Sequence, residues 1–452
     1  MSNQAIIRTQ STDISGSQYL NTPHSLLMPQ APVLNKSFVR EYINYVPDNG
    51  TNQAQPGVTI TFTQRRDYDV LNQWYLRFIA TGLTAPVAPI TFSRWVDRLG
   101  PASVEEIRVQ SGTQQLQVIR GLELVVYALK CLDIDQQQGV ELMWLGGTPA
   151  FRSLESLADR EIICPLLTCI GLGMFGDLCQ GLYVRGLNDL LTLRWQIPAA
   201  STLIESDGAI QATPAAGFFQ QGSLFTEGSH LNRAERRDIA TFYKMRPFSL
   251  TFDDQQYTTE EIVLGTQTLP FAQNFLMSGV NQPVSVLAII PRWDDDMSRV
   301  TNGANGSRGR NRWNWGGVIL PGGAGVSNGI MQDIRIRTGN NDIIATIPVD
   351  RLLNFQHTRD FKGPAGAGPP AYSFSRDFSM KNAVMGFVGF DQIEQPQVTI
   401  NWRVPTRGTA FASFNAAATA ELGNNSALRV QILAFTKNQI DQASFLLSKP
   451  FG

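Results

Sequence analysis

Histidine is almost missing from the 452 residues: His24, His230 and His357 are the whole complement. A histidine metal cluster or a nucleophile–histidine pair would have to be assembled from these three, and the sequence contains no H-E-x-x-H, G-x-S-x-G or G-x-x-x-x-G-K-S/T. No catalytic residue and no cofactor is therefore assigned. Cysteine is scarce as well. Cys131, Cys164, Cys169 and Cys179 match neither a C-x-x-C zinc spacing nor a dense disulfide framework, and they are expected to be buried thiols made in a reducing compartment. Charge is low at 17% of residues, and 37 basic against 38 acidic side chains leave a net charge of −1. No overall field would hold such a chain on nucleic acid or an anionic membrane, so direct sequence-specific nucleic-acid binding is not expected. Long apolar runs are lacking: nowhere do 18 apolar residues follow one another, and Met1–Gln10 carries no basic segment leading into an apolar one. The expected product is soluble when made.

What is present is material for cores and turns. Hydrophobic residues make up 43% of the chain, and its length suggests two domains at roughly 100–200 residues each. Gly (39) and Pro (24) punctuate it throughout, as expected where turns join many short strands. Strict alternation begins at Val58-Thr-Ile60-Thr-Phe62-Thr. It returns at Ile107-Arg-Val109, Leu191-Thr-Leu193-Arg-Trp195-Gln-Ile197, Phe248-Ser-Leu250-Thr-Phe252, Ile334-Arg-Ile336, Val398-Thr-Ile400-Asn-Trp402 and Leu428-Arg-Val430-Gln-Ile432. A period of two places one face on a core and the other in water, which is the grammar of two-layer β-sandwiches.

Two of these strands have counterparts in the other half. Val104–Leu116 reads like Met331–Ile343, each a strand, a turn at Gly112 or Gly339, and a second strand, at an offset of 227 residues. Leu191–Pro198 resembles Val398–Pro405 at an offset of 207, and the matches keep their order. Tandem duplication of one β domain explains both. The expected organisation is a polar arm (1–44), a first sandwich (45–228), a linker helix (229–246) and a second sandwich (247–452). The helix is placed by Asn232 as cap, Glu235 three residues on, and Pro247 as its stop. The stretch from Pro198 to Gly228 reads as a long loop.

Three local patterns invite a functional reading. Gly171-Leu-Gly173-Met-Phe-Gly176 matches a dinucleotide fingerprint, but Pro165 interrupts the strand before it, Gly181 and Gly186 break any helix after it, and no alternating βαβ units surround it, so it reads as a Gly-rich turn. Asp294, Asp295 and Asp296 are weak candidates for a hard-cation site, against a solvated loop. Arg308, Arg310 and Arg312 beside Trp313 and Trp315 could stack on single-stranded nucleic acid, but one basic loop in a neutral chain fits an exposed loop or subunit contact better.

The order of segments resembles the double jelly-roll major capsid proteins of the nucleocytoplasmic large DNA viruses and their relatives. The carriers are Val58–Asp67 leading to Trp74–Ile79, Trp95–Gly100 followed by the hairpin from Val104, and Cys164-Pro-Leu-Leu through Leu187 to Leu190-Leu-Thr-Leu-Arg. Further on they are Leu231-Asn-Arg-Ala-Glu-Arg-Arg, similar to a Leu-Asp-x-x-Glu-Arg-Arg element, then Ala371-Tyr-Ser-Phe-Ser and Ala434-Phe-Thr-Lys-Asn-Gln-Ile. Where that family usually has a Pro-Ser-Gly-x-x-Asn-x-Ser loop, this chain has Asn382-Ala-Val-Met-Gly-Phe-Val-Gly-Phe, which marks a divergent member. The resemblance implies an all-β chain of two tandem eight-stranded jelly-roll β-sandwiches with short helices in connecting loops. It implies a homotrimer forming a pseudo-hexameric capsomer of an icosahedral shell, made in the host cytoplasm and carried in the virion. Neighbouring capsomers, minor capsid and penton proteins, and proteins of an internal membrane are the partners it implies. The alternatives are a β-sandwich carbohydrate-binding protein, with Trp293 before Asp294, Asp295 and Asp296 as its candidate site, a hydrolase, for which no carboxylate pair is located, or another viral surface or structural protein.

Overall fold

The structure, a computed structural model, describes residues 38–448 apart from 49–53, 87, 89–91, 171–173, 175–180, 207–216, 246–247, 264–270, 294–312, 314, 316–330, 339–340, 357–359, 364–367, 376–386, 391–392, 394, 403–427 and 444–445. In the first half the main strands are β1 (Phe38–Tyr45), β2 (Thr59–Gln64), β3 (Val70–Ala80), β4 (Glu106–Ser111), β5 (Gln114–Ile119), β6 (Arg160–Pro165), β7 (Leu191–Gln196) and β8 (Phe219–Leu231). In the second half they are β9 (Phe248–Tyr257), β10 (Phe271–Leu276), β11 (Pro283–Trp293), β12 (Met331–Thr338), β13 (Asn341–Pro348), β14 (Ala371–Ser373), β15 (Pro396–Trp402) and β16 (Leu428–Ala443).

The first half pairs them as β1-β8-β3-β6 and β2-β7-β4-β5; the second as β9-β16-β11-β14 and β10-β15-β12-β13. Each strand of the second half thus occupies the place of the strand eight labels before it. All of these pairings are antiparallel. Except within the β4–β5 and β12–β13 hairpins, successive strands fall in opposite sheets, which is the jelly-roll path.

Alternation sets the inner faces. Ile60 and Phe62 of β2 point into the core and pair with Trp195 and Leu193 of β7, all four fully buried. The indole N–H of Trp195 donates to the Ser103 carbonyl at 3.0 Å, so this large ring is buried with its donor satisfied. The β4–β5 hairpin turns at Gly112, whose φ of 57° favours glycine. The strands that resemble each other in sequence occupy equivalent places. Ile107 faces Trp195 and Val109 faces Leu193 in the first half; Ile334 faces Ile400 and Ile336 faces Val398 in the second. Relative to the sequence match the second pairing has slid by two residues, which keeps every inward side chain inward because the strand period is two.

Two stretches depart from expectation. Residues 38–44, assigned to the arm, form most of edge strand β1, and residues 219–228, assigned to a loop, belong to β8 at the centre of its sheet. Strand β1 lacks an apolar alternation because both of its faces are wet near its start: the consecutive residues Val39, Arg40, Glu41 and Tyr42 are all exposed. Strand β8 is disguised by polar residues and by a register shift between Gln220 and Ser223, with Gln221 at φ 51°. Between β5 and β6 lie helices α1 (Gly121–Cys131), α2 (Ile134–Met143) and α3 (Pro149–Glu155), and α4 (Arg233–Met245) joins the halves.

Candidate functional site at the junction of the two sandwiches

Helix α4 begins as its sequence dictates: the Asn232 side-chain oxygen accepts the Glu235 backbone N–H at 2.9 Å. The next residue fixes the helix to the first half. The Arg236 guanidinium donates to Asp69 at 2.8 Å, the Leu231 N–H donates to the same carboxylate at 2.8 Å, and Arg185 lies 3.4 Å away. Asp69 is fully buried, so its charge depends on these donors. The Glu-Arg-Arg element thereby acquires a physical role: its first arginine clamps the linker.

Helix α1 forms the other connection. Every one of its residues is buried. Its Tyr127 ring lies 6.4 Å from Phe435 of β16, the Arg120 guanidinium sits 4.7 Å above the Tyr257 ring of β9, and the Lys130 carbonyl accepts the N–H groups of Lys362 at 3.0 Å and Gly363 at 3.3 Å. Gly363 passes so close that a β-carbon would stand 1.9 Å from the Leu129 oxygen. The sheet containing β11 and β16 is consequently covered twice. Leu287, Ile289, Val430, Ile432 and Ala434 pack into the core of the second sandwich, while Val286, Ala288, Ile290, Leu433 and Phe435 join the hydrophobic cluster of the first. A sheet covered on both faces needs near-continuous apolar strands, and Val286-Leu-Ala-Ile-Ile290 is such a run.

Ionisable groups are sealed into this junction. Glu123 is 1% exposed and accepts the Arg120 N–H at 3.0 Å; burial pushes its pKa up to about 8 despite that bond. Lys130, on the same helix, is lowered by burial to about 7. Burial also raises the Cys131 thiol and the Tyr127 and Tyr257 phenols.

The sequence matches no protein-family model and no curated protein. In structure it is similar to the capsid of the virus PBCV-1, described as a quasi-atomic model, with a TM-score of 0.70 and 15% identity over 92% of this chain and 97% of that one. It is also similar to the Faustovirus major capsid protein (TM-score 0.61, 9% identity, 97% and 98% covered) and to a chain of the Sputnik virophage solved by electron cryo-microscopy (0.56, 9%, 93% and 90%). The chain has the double jelly-roll fold.

The double jelly roll uses the residues singled out in its sequence unevenly. Trp313 is 5% exposed and its indole N–H donates to the Asp97 carbonyl at 2.9 Å, so it sits inside the chain, pinning the second half to the first, and not on an exposed loop. Trp315 is partly buried and packs 6.1 Å from it. Arg308, Arg310 and Arg312 lie outside the described residues, as do Asp294, Asp295 and Asp296 and all of the Gly-rich turn but Met174. Among the described residues no three His, Cys, Asp or Glu side chains converge as metal ligands. Cys131, Cys164 and Cys169 are buried free thiols. Sequence reading missed α1 altogether, because a helix wet on no side shows no apolar period.

Proposed function

We propose that this chain is a major capsid protein, non-enzymatic, three copies of which close into a pseudo-hexagonal capsomer of an icosahedral virus shell. The observation that carries the reading is the repetition itself: two sandwiches of one strand order, locked side by side by a sheet covered on both faces. Three such chains about a threefold axis present six nearly equivalent sandwiches, a tile that packs hexagonally. Rigid locking suits this role, since a hinge between the rolls would blur the tile's outline. The fold likeness to the PBCV-1 capsid and the Faustovirus major capsid protein supports the same reading.

In this account the product is made in the host cytoplasm and resides in the virion. Its first partner is a second and third copy, through an obligate interface of more than about 2,000 Å². Neighbouring capsomers, minor capsid and penton proteins, and the proteins of an internal membrane come next. Light scattering over a range of concentrations tests the first step. A constant mass of three 49.9 kDa chains, about 150 kDa, is expected. A monomer unchanged by concentration would overturn the preassembled capsomer.

A further inference from the structure

A cleft of about 280 Å³ opens where the β4–β5 hairpin of the first roll meets β9 of the second, and its lining includes Glu106, Arg108, Arg120, Glu123, Gln255 and Tyr257. It is polar and donor-rich. Arg108 and Arg120 are exposed on the first roll, Arg108 paired with Glu106. From the second roll, Arg292 and Arg429 are cross-strand partners that share Glu260, at 3.8 and 3.2 Å. The Arg292 guanidinium is held below its ordinary pKa by burial, and the nearby charges of Arg429 and Arg120 push it the same way. Burial pushes the pKa of the Glu123 carboxyl up to about 8, and Asp254 accepts the Asn438 amide N–H at 2.9 Å. Four guanidiniums, Arg108 and Arg120 from the first roll and Arg292 and Arg429 from the second, therefore gather at this junction. Like charges crowded from two domains repel each other, and the repulsion is relieved by an anion with several acceptor oxygens.

We propose that this cleft binds a small multivalent oxyanion of the phosphate type, held by Arg108 and Arg120 and tying the first jelly roll to the second. This goes beyond the capsid reading and is independent of it: the site lies within one chain. Guanidinium pairs match phosphate in geometry and charge, and the volume admits one phosphate group with its waters.

The test is a titration of the full chain with sodium phosphate at about pH 7, against sodium chloride at matched ionic strength, read by melting temperature and by phosphorus-31 line width. A saturable rise in melting temperature with phosphate alone is expected. R108Q and R120Q should each weaken the apparent dissociation constant tenfold or more, while R160Q, at a half-exposed arginine elsewhere, should leave it unchanged. Phosphate acting no better than chloride would overturn the proposal, as would equal affinity in the wild type and R108Q. Should R120Q fail to fold, R108Q decides, because its side chain is half exposed and carries no core packing.

Discussion

Glu123→Gln replaces a carboxyl that is sealed between the two rolls with a neutral group of the same shape. The ordinary pKa of 4.5 is raised by burial to about 8 in the folded chain. Below about pH 4.5 both the folded and the unfolded chain hold the proton, and the group contributes nothing to the pH dependence. Between about pH 4.5 and 8 the unfolded chain releases the proton while the folded chain keeps it, so stability falls as pH rises, by about 1.4 kcal/mol per pH unit. At pH 7 the accumulated cost is about 3 kcal/mol, and it levels off above pH 8. Glutamine carries no proton to release, and its side-chain oxygen can still accept the Arg120 N–H. Allowing about 1 kcal/mol at every pH for an imperfectly matched amide N–H, the variant should lie about 1 kcal/mol below the wild type near pH 4 and exceed it by about 2 kcal/mol at pH 7. Urea unfolding at fixed protein concentration, repeated from about pH 4 to 9, gives both curves. Parallel profiles for the two proteins would refute the reasoning, since they would mean that Glu123 is solvated or already ionised in the folded chain.

Three further outcomes follow from the same junction. Lys130→Met should raise stability by a few kcal/mol near pH 6, and this gain over the wild type should shrink between about pH 7 and 10.5, the window in which the unfolded chain still binds the proton that folded Lys130 has lost; unfolding curves of both proteins across that window check it. Asp69→Asn removes the charge that holds Arg236 and Arg185 and should cost about 3 kcal/mol, with faster hydrogen exchange at the Leu231 amide. Trp313→Ala should cost about 3 kcal/mol and deprotect the backbone around Asp97, seen by hydrogen exchange, while leaving β12 and β15 protected.

The strands were readable wherever one face is dry and the other wet. Ile60 and Phe62, Leu191 to Trp195, and Val398 to Trp402 alternate because a sheet half in water requires it. The repeats were readable for a related reason: equivalent strands bury equivalent residues, so Trp195 and Trp402 are both fully buried on the inner faces of the equivalent strands β7 and β15, although their cross-strand register differs by two residues. Asn232 announced the linker helix through its cap. What stayed hidden lies where the wet and dry faces are not distinct. Strand β1 presents an edge to solvent, β8 is bulged and polar, and α1 has no wet face at all. The junction, and with it the cleft, depends on residues more than a hundred positions apart, such as Arg120 with Tyr257 and Tyr127 with Phe435, which no local spacing connects.

The central claim is that three of these chains make one tile of a shell, and electron cryo-microscopy of the purified, concentrated protein addresses it most directly. Threefold particles of hexagonal outline showing six upright sandwiches, and closed shells tiled by them, are expected. Compact two-lobed monomers, with no threefold class at any concentration, would contradict it.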